Sequence, residues 1–172
     1  EELQFDYNHS EIEFDDFEEQ LLLPHKLSQL GPAIARADLN GDGKDDLFLG
    51  GAKNEAPRLL VSTHNGSFRM IDTDDFLLDR SSEDIDATFF DADNDGDQDL
   101  YVVSGSYEFD HESELLRDRL YINNGNLRFT NMKNRLPDLM VSGSTVKASD
   151  FDKDGDIDLF VGGRVIPGKY PY

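Results

Sequence analysis

The sequence predicts an all-β fold assembled from a repeated four-stranded antiparallel unit, and three observations carry that prediction. A nine-residue acidic stretch occurs three times, each copy running directly into an apolar strand. The copies begin at Asp38, Asp91 and Asp150, so the period is 53 and then 59 residues. That length suits a unit of four strands and is too long for a helical-hairpin or leucine-rich repeat. Asn-Gly pairs then sit between apolar runs, the strongest short-range sign of a hairpin, because such turns call for left-handed residues.

Taken in order, residues 1–31 read as a connection or as the outer strands of a preceding unit, since Phe5, Tyr7, Ile12 and Phe14 roughly alternate with polar residues. Leu21 to Leu30 allows a short turn, and Pro24 forbids a longer helix. The first unit, 32–80, runs strand, acidic loop 38–46, strand Leu47-Phe48-Leu49, strand Arg58-Leu-Leu-Val61, turn Asn65-Gly66 and a strand from Phe68. The second, 84–136, repeats this with loop 91–99, strand Arg119-Leu-Tyr-Ile122, turn Asn124-Gly125 and a strand from Phe129; an acidic insertion at 107–116 accounts for its greater length. The third, 142–172, shows only the first hairpin, with loop 150–158, because the next strand is due near residue 170.

Four antiparallel strands per repeat describe the blade of a β-propeller, in which about four or more blades close a ring. The chain is thus expected to form part of a larger propeller, with Asp-rich loops between the first two strands of each blade. Its outermost strand edges should be covered by the remaining blades of a parent chain or by a protein partner, since bare edges aggregate. Phe48, Tyr101 and Phe160 occupy one equivalent position per unit and are expected to pack between blades.

Charge narrows the function. The chain carries 37 acidic and 16 basic residues, a net −21, so nucleic acid and anionic membrane surfaces are excluded as partners by repulsion. Cysteine is absent, which rules out disulfides and thiolate metal sites. No stretch approaches the roughly 20 apolar residues that cross a bilayer, so direct membrane insertion by this segment is not expected. Glu1-Glu2-Leu3-Gln4 has none of the character of a secretion signal.

The acidity is concentrated in the loops, where it has a chemical reading. Calcium takes six to eight oxygen ligands, and a short loop with side-chain oxygens at positions 1, 3, 5 and 9 and a backbone carbonyl at 7 can surround it, with glycine at 6 for the sharp turn. Loop one offers Asp38, Asn40, Asp42, Gly43, the carbonyl of Lys44 and Asp46. Loop two offers Asp91, Asp93, Asp95, Gly96, the carbonyl of Asp97 and Asp99. Loop three offers Asp150, Asp152, Asp154, Gly155, the carbonyl of Asp156 and Asp158. About three Ca2+ sites are therefore expected. An EF-hand needs a bidentate glutamate at position 12 and flanking helices. Position 12 is Leu49, Val102 and Val161, each inside an apolar strand, so the EF-hand is rejected.

These loops, followed by Leu47-Phe-Leu-Gly-Gly-Ala52 and Leu159-Phe-Val-Gly-Gly163, resemble the FG-GAP/VCBS repeats of integrin α-subunit propellers and of many bacterial surface proteins. Leu22 to Pro32 and Gly163 to Tyr170 are similar to VCBS-repeat proteins of Bacteroidetes that often also carry an ASPIC/UnbV segment. The resemblance implies a β-propeller, calcium at the positions given, and an extracytoplasmic setting at the bacterial cell surface or outer membrane.

Catalytic patterns are missing. There is no Gly-x-Ser-x-Gly elbow, no His-Glu-x-x-His and no phosphate-cradling glycine loop. His9, His25, His64 and His111 are far apart and read as surface or turn residues. Carboxylate pairs say nothing of glycoside hydrolysis in so acidic a chain. Tyr107, Phe109 and His111 in the insertion could form a sugar-stacking surface. The expected function is a non-enzymatic scaffold or binding module for a protein or glycan partner. The alternative is part of a propeller-fold carbohydrate-active enzyme, such as a polysaccharide lyase, with its catalytic residues elsewhere.

Overall fold

The computed structural model describes residues 7–170, and Phe5 of the N-terminal alternation lies outside them. Two complete antiparallel sheets and a hairpin follow one another along the chain. The first sheet comprises β1 (Ile34–Ala37), β2 (Asp46–Leu49), β3 (Arg58–Ser62) and β4 (Phe68–Ile71) in sequential order. The second comprises β5 (Asp84–Phe90), β6 (Asp99–Ser104), β7 (Arg119–Asn123) and β8 (Phe129–Asn131), again in order. β9 (Ser142–Ser149) pairs with β10 (Asp158–Val165) alone. The expected all-β, four-stranded antiparallel architecture is present, and each acidic loop joins the first two strands of its sheet.

The sheets stack face to face, and side-chain alternation assigns the faces. Phe48, Leu59 and Val61 of the first sheet pack against Leu100, Val102, Tyr121 and Phe129 of the second. Every residue of β6 is buried, because Leu100 and Val102 face the first sheet while Tyr101 and Val103 face Val146 of β9. A strand covered on both faces reads as an unbroken apolar run, as Leu-Tyr-Val-Val does. Phe48 and Tyr101 are buried between sheets as expected, whereas Phe160 is 68% exposed. No further sheet covers the outer face of β10 among the described residues. Where the inner strands converge there is no room for side chains: a Cβ on Gly143 would lie 2.1 Å from Val103 Cγ1.

Three features depart from the sequence reading. A short helix, α2 (Asp74–Leu78), wedges Phe76 between the two sheets, its ring edge-on to Phe48 at 5.7 Å and to Tyr121 at 5.0 Å. The hairpins at Asn65-Gly66 and Asn124-Gly125 have three-residue loops, closed by Thr63 with Ser67 and by Asn124 with Arg128. Only Gly66 is left-handed in the first loop, while Gly125, Asn126 and Leu127 all are in the second. Residues 7–33 hold no strand, only the helical turn α1 (Asp16–Glu19), so of the two readings for this segment the described residues have the form of a connection and present no strand edge. Asp16 is fully buried, accepting hydrogen bonds from the Leu27 and Ser28 backbone N–H groups and the Ser28 hydroxyl.

The insertion does not present its aromatics to solvent. Tyr107 and Phe109 are 3% and 6% exposed, so a sugar ring has no aromatic face to stack on there. Tyr107 packs on Leu23 and Leu27 and donates its hydroxyl to Gln20. Lys53 Nζ lies over the Phe109 ring at 5.1 Å. Gln20 also bonds both backbone groups of Tyr170, which clasps the N-terminal segment to the stretch after β10.

Candidate metal centre

Each acidic loop leaves its first strand, reverses twice and enters its second. The reversals fall at positions 4 and 6, which are left-handed in every copy: Gly41 and Gly43, Asn94 and Gly96, Lys153 and Gly155. Glycine and asparagine adopt that conformation at little cost, which is why they recur there. Lys153 is the exception. The left-handed fourth position was not read from the sequence, although Gly, Asn and Lys at that place offered a partial signal.

The reversals aim successive backbone N–H groups at the position-1 carboxylate. Asp38 accepts from Gly41 (2.8 Å), Asp42 (3.1 Å) and Gly43 (2.8 Å). Asp91 accepts from Asp95 (3.2 Å) and Gly96 (3.0 Å), and Asp150 from Gly155 (3.3 Å). The position-5 carboxylates Asp42, Asp95 and Asp154 each take the N–H of position 7 at 2.9 Å. Donation from Gly43, reinforced by Gly41 and Asp42, holds the Asp38 carboxyl below its ordinary range.

Loops two and three draw their carboxylates together. Asp91, Asp93 and Asp99 each offer an oxygen within 4.8 Å of the others, and so do Asp150, Asp152 and Asp158. Asp150 Oδ1 is buried without a hydrogen-bond partner among the described residues. An acceptor-only oxygen desolvated beside two more carboxylates is costly unless a cation joins them. Loop one places Asn40 where these have Asp93 and Asp152, and it has Lys44 at position 7, with Nζ bonded to Thr63 O at 2.8 Å. Burial holds the Asp99 carboxyl above its ordinary range, and Asp93 and Asp95 push in the same direction.

Position 9 has a second role that sequence reasoning missed. Asp46 Oδ2 accepts from Leu39 N–H of its own loop at 3.1 Å, and Asp46 Oδ1 from Ser62 N–H at the end of β3 at 2.7 Å. Asp99 does the same with Ala92 N–H at 2.8 Å and Asn123 N–H of β7 at 2.7 Å. Both aspartates are fully buried and tie the acidic loop to the third strand of the sheet. Among the described residues Asp158 accepts only from Phe151 N–H, at 3.0 Å, and is exposed.

A buried polar link between the first two sheets also went unread. Asp84 accepts from Gly51 N–H at 2.8 Å and pairs with the Arg119 guanidinium, which also donates to Ser104 Oγ. Arg119 aligns with Arg58 at the start of the third strand, and that recurrence was the available signal.

No curated protein matches the chain. A family model described as FG-GAP-like repeat matches residues 38–102, from the first residue of loop one to Val102 of β6. The match spans two acidic loops and the strands between them, and over these residues the chain is similar to the FG-GAP-like repeat family.

Proposed function

We propose that the chain is a calcium-binding module of β-propeller type that acts without catalysis, as a scaffold or binding surface for a protein or glycan partner outside the cytoplasm. The observation that carries the calcium reading is the convergence of three carboxylates in each of loops two and three, one of them with a buried oxygen that has no hydrogen-bond partner among the described residues. A hard, oxygen-seeking divalent cation suits this donor set, which contains no nitrogen or sulfur ligand. Asp91, Asp93, Asp95 and Asp99 would hold it in loop two, and Asp150, Asp152, Asp154 and Asp158 in loop three, with the position-7 carbonyls of Asp97 and Asp156. Loop one would use Asp38, Asn40, Asp42, the Lys44 carbonyl and Asp46. Bound calcium neutralises the crowded carboxylates and cross-links each loop, and the buried position-9 aspartate passes that order to the sheet.

The family match supports an extracytoplasmic setting, where free calcium is abundant enough for sites of about 10⁻⁴–10⁻³ M affinity. No helix is long and apolar enough to cross a membrane among the described residues. Stripping metal with a chelator should lower the melting temperature by several degrees, and calcium should restore it. An unchanged melt in protein shown to be metal-free would overturn this reading.

A further inference from the structure

The second sheet has a cavity at the end opposite its acidic loop. It lies at the start of β7, encloses about 260 Å³ and is lined by Leu78, Ser81, Leu115, Arg117, Arg119 and Lys133, together with the acidic residues Asp79, Glu114 and Asp118. Three segments build its walls: the chain between α2 and β5, the 3₁₀ turn Glu114–Leu116 of the insertion, and the chain after β8. The insertion thus frames a concave surface with its last turn, while its aromatics stay buried.

Two guanidinium groups at this cavity have donors to spare. Arg119 is 6% exposed; its Nε and Nη2 donate to Ser104 Oγ at 3.2 and 3.0 Å, and Nη2 also pairs with Asp84. Its Nη1 is buried with no hydrogen-bond partner among the described residues. Arg117 spends Nη2 on Glu114 and Asp138, and its Nε is likewise buried and unpartnered among the described residues. A desolvated donor without an acceptor is costly, so two beside one cavity call for an occupant that brings acceptors. The equivalent arginine of the first sheet makes the contrast. Arg58 lies over the Tyr7 ring at 5.3 Å and beside Glu55 at 3.8 Å, and none of its nitrogens is both buried and unpartnered.

Charge and size select the occupant. Arg117, Arg119 and Lys133 are balanced in the lining by Asp79, Glu114 and Asp118, and the net −21 of the chain repels an approaching anion. The acceptors must therefore be uncharged oxygens. Asp79 is taken by Lys133 at 3.1 Å, and Asp118 by the Tyr101 hydroxyl at 2.8 Å and Ser104 N–H at 2.9 Å. Exposed Glu114 is left to accept from the occupant, which suits hydroxyls, since these both donate and accept. Leu78 and Leu115 offer apolar contact for ring carbons. The volume is below the roughly 300 Å³ at which pockets for drug-sized ligands begin, which suits a single ring. We propose that the cavity at the start of β7 binds one neutral pyranose unit of a glycan, oriented by Arg117 Nε and Arg119 Nη1. This deepens the binding-module reading by giving it a glycan site, and it does not depend on the calcium reading.

The test is saturation-transfer NMR on the 172-residue protein in calcium-containing buffer. The probes are the methyl glycosides of glucose, galactose, mannose and N-acetylglucosamine, with glucuronic acid as the charged comparison. At least one neutral glycoside should bind, and more tightly than glucuronic acid. Arg117→Ala should weaken it about tenfold, the worth of one hydrogen bond to a charged group. Ser81→Tyr, at an exposed position on the rim, should block the cavity and abolish binding without altering the melt; where Arg117→Ala unfolds, this variant decides. Failure of all four neutral glycosides, tighter binding of glucuronic acid, or binding that survives substitution in folded protein would each overturn the proposal. Calorimetry with calcium on the same sample keeps the two readings apart. Calcium heat without glycoside binding defeats the sugar site alone, and glycoside binding without calcium heat leaves it standing while the metal reading falls.

Discussion

Loops one and two share a backbone and differ in charge. Both are left-handed at positions 4 and 6, both direct N–H groups onto the first carboxylate, and both bury the ninth beneath two backbone donors. Loop one nevertheless has Asn40 for Asp93 and Lys44 for Asp97. Glycine placement and N–H donation set the shape of the loop, and the number of carboxylates varies within that shape.

The largest expected effect tests the shared part. Asp46→Ala and Asp99→Ala each strand two backbone N–H groups, one buried and one part-buried, so each should cost about 3 kcal/mol. Chemical denaturation in chelator isolates this from metal binding. A cost under about 1 kcal/mol for either variant would break the claim that position 9 ties loop to sheet.

The next effect sets the loops against the opposite ends of the same strands. Glu83, beside β5, is 3% exposed and its Oε2 has no hydrogen-bond partner among the described residues. Burial pushes its pKa up to about 8, and Glu11, Glu108 and Asp84 add to this against the Ser106 hydroxyl. Of these neighbours, Glu11 pairs with His9, Glu108 with Lys53 and Asp84 with Arg119. The neutral carboxyl is favoured in the folded state, so its contribution is complete below the ordinary value of 4.5 and declines as pH rises through about 8. The slope is about 1.4 kcal/mol per pH unit, and Glu83→Gln should remove it. Asp38 has the opposite sign, since its lowered pKa gives stability that is lost as pH falls. A denaturation series from pH 5 to 8 with no change on Glu83→Gln would contradict the assignment.

The smallest effects sharpen the difference between the loops. Asp42→Ala should remove a weaker calcium site than Asp95→Ala or Asp154→Ala at low ionic strength. Asn40→Asp should strengthen loop one severalfold, by about 1 kcal/mol. Loop one proving the tightest site would show that ligand charge does not order the affinities.

Much of this was legible because it is local and periodic. The Asp spacing, the apolar residue at position 12 and the Arg-Leu strand repeat each placed an element without reference to the rest of the fold. The misreadings lie where distant segments decide. Tyr107 and Phe109 look like free aromatics in an acidic insertion, yet Leu23 and Leu27, some eighty residues earlier in the chain, bury the first of them. Phe76 follows Thr-Asp-Asp in what resembles a loop, and only the gap between two sheets makes it core. In the loops themselves, residue types indicated where carboxylates would gather but not the backbone donors that the ninth aspartate serves.

Calorimetric titration of metal-stripped protein with calcium tests the central claim most directly. The account predicts saturable binding to about three sites, two of them stronger, with one stronger site lost in Asp95→Ala and the other in Asp154→Ala. A flat titration in folded, metal-free protein, or an isotherm untouched by both substitutions, would contradict it.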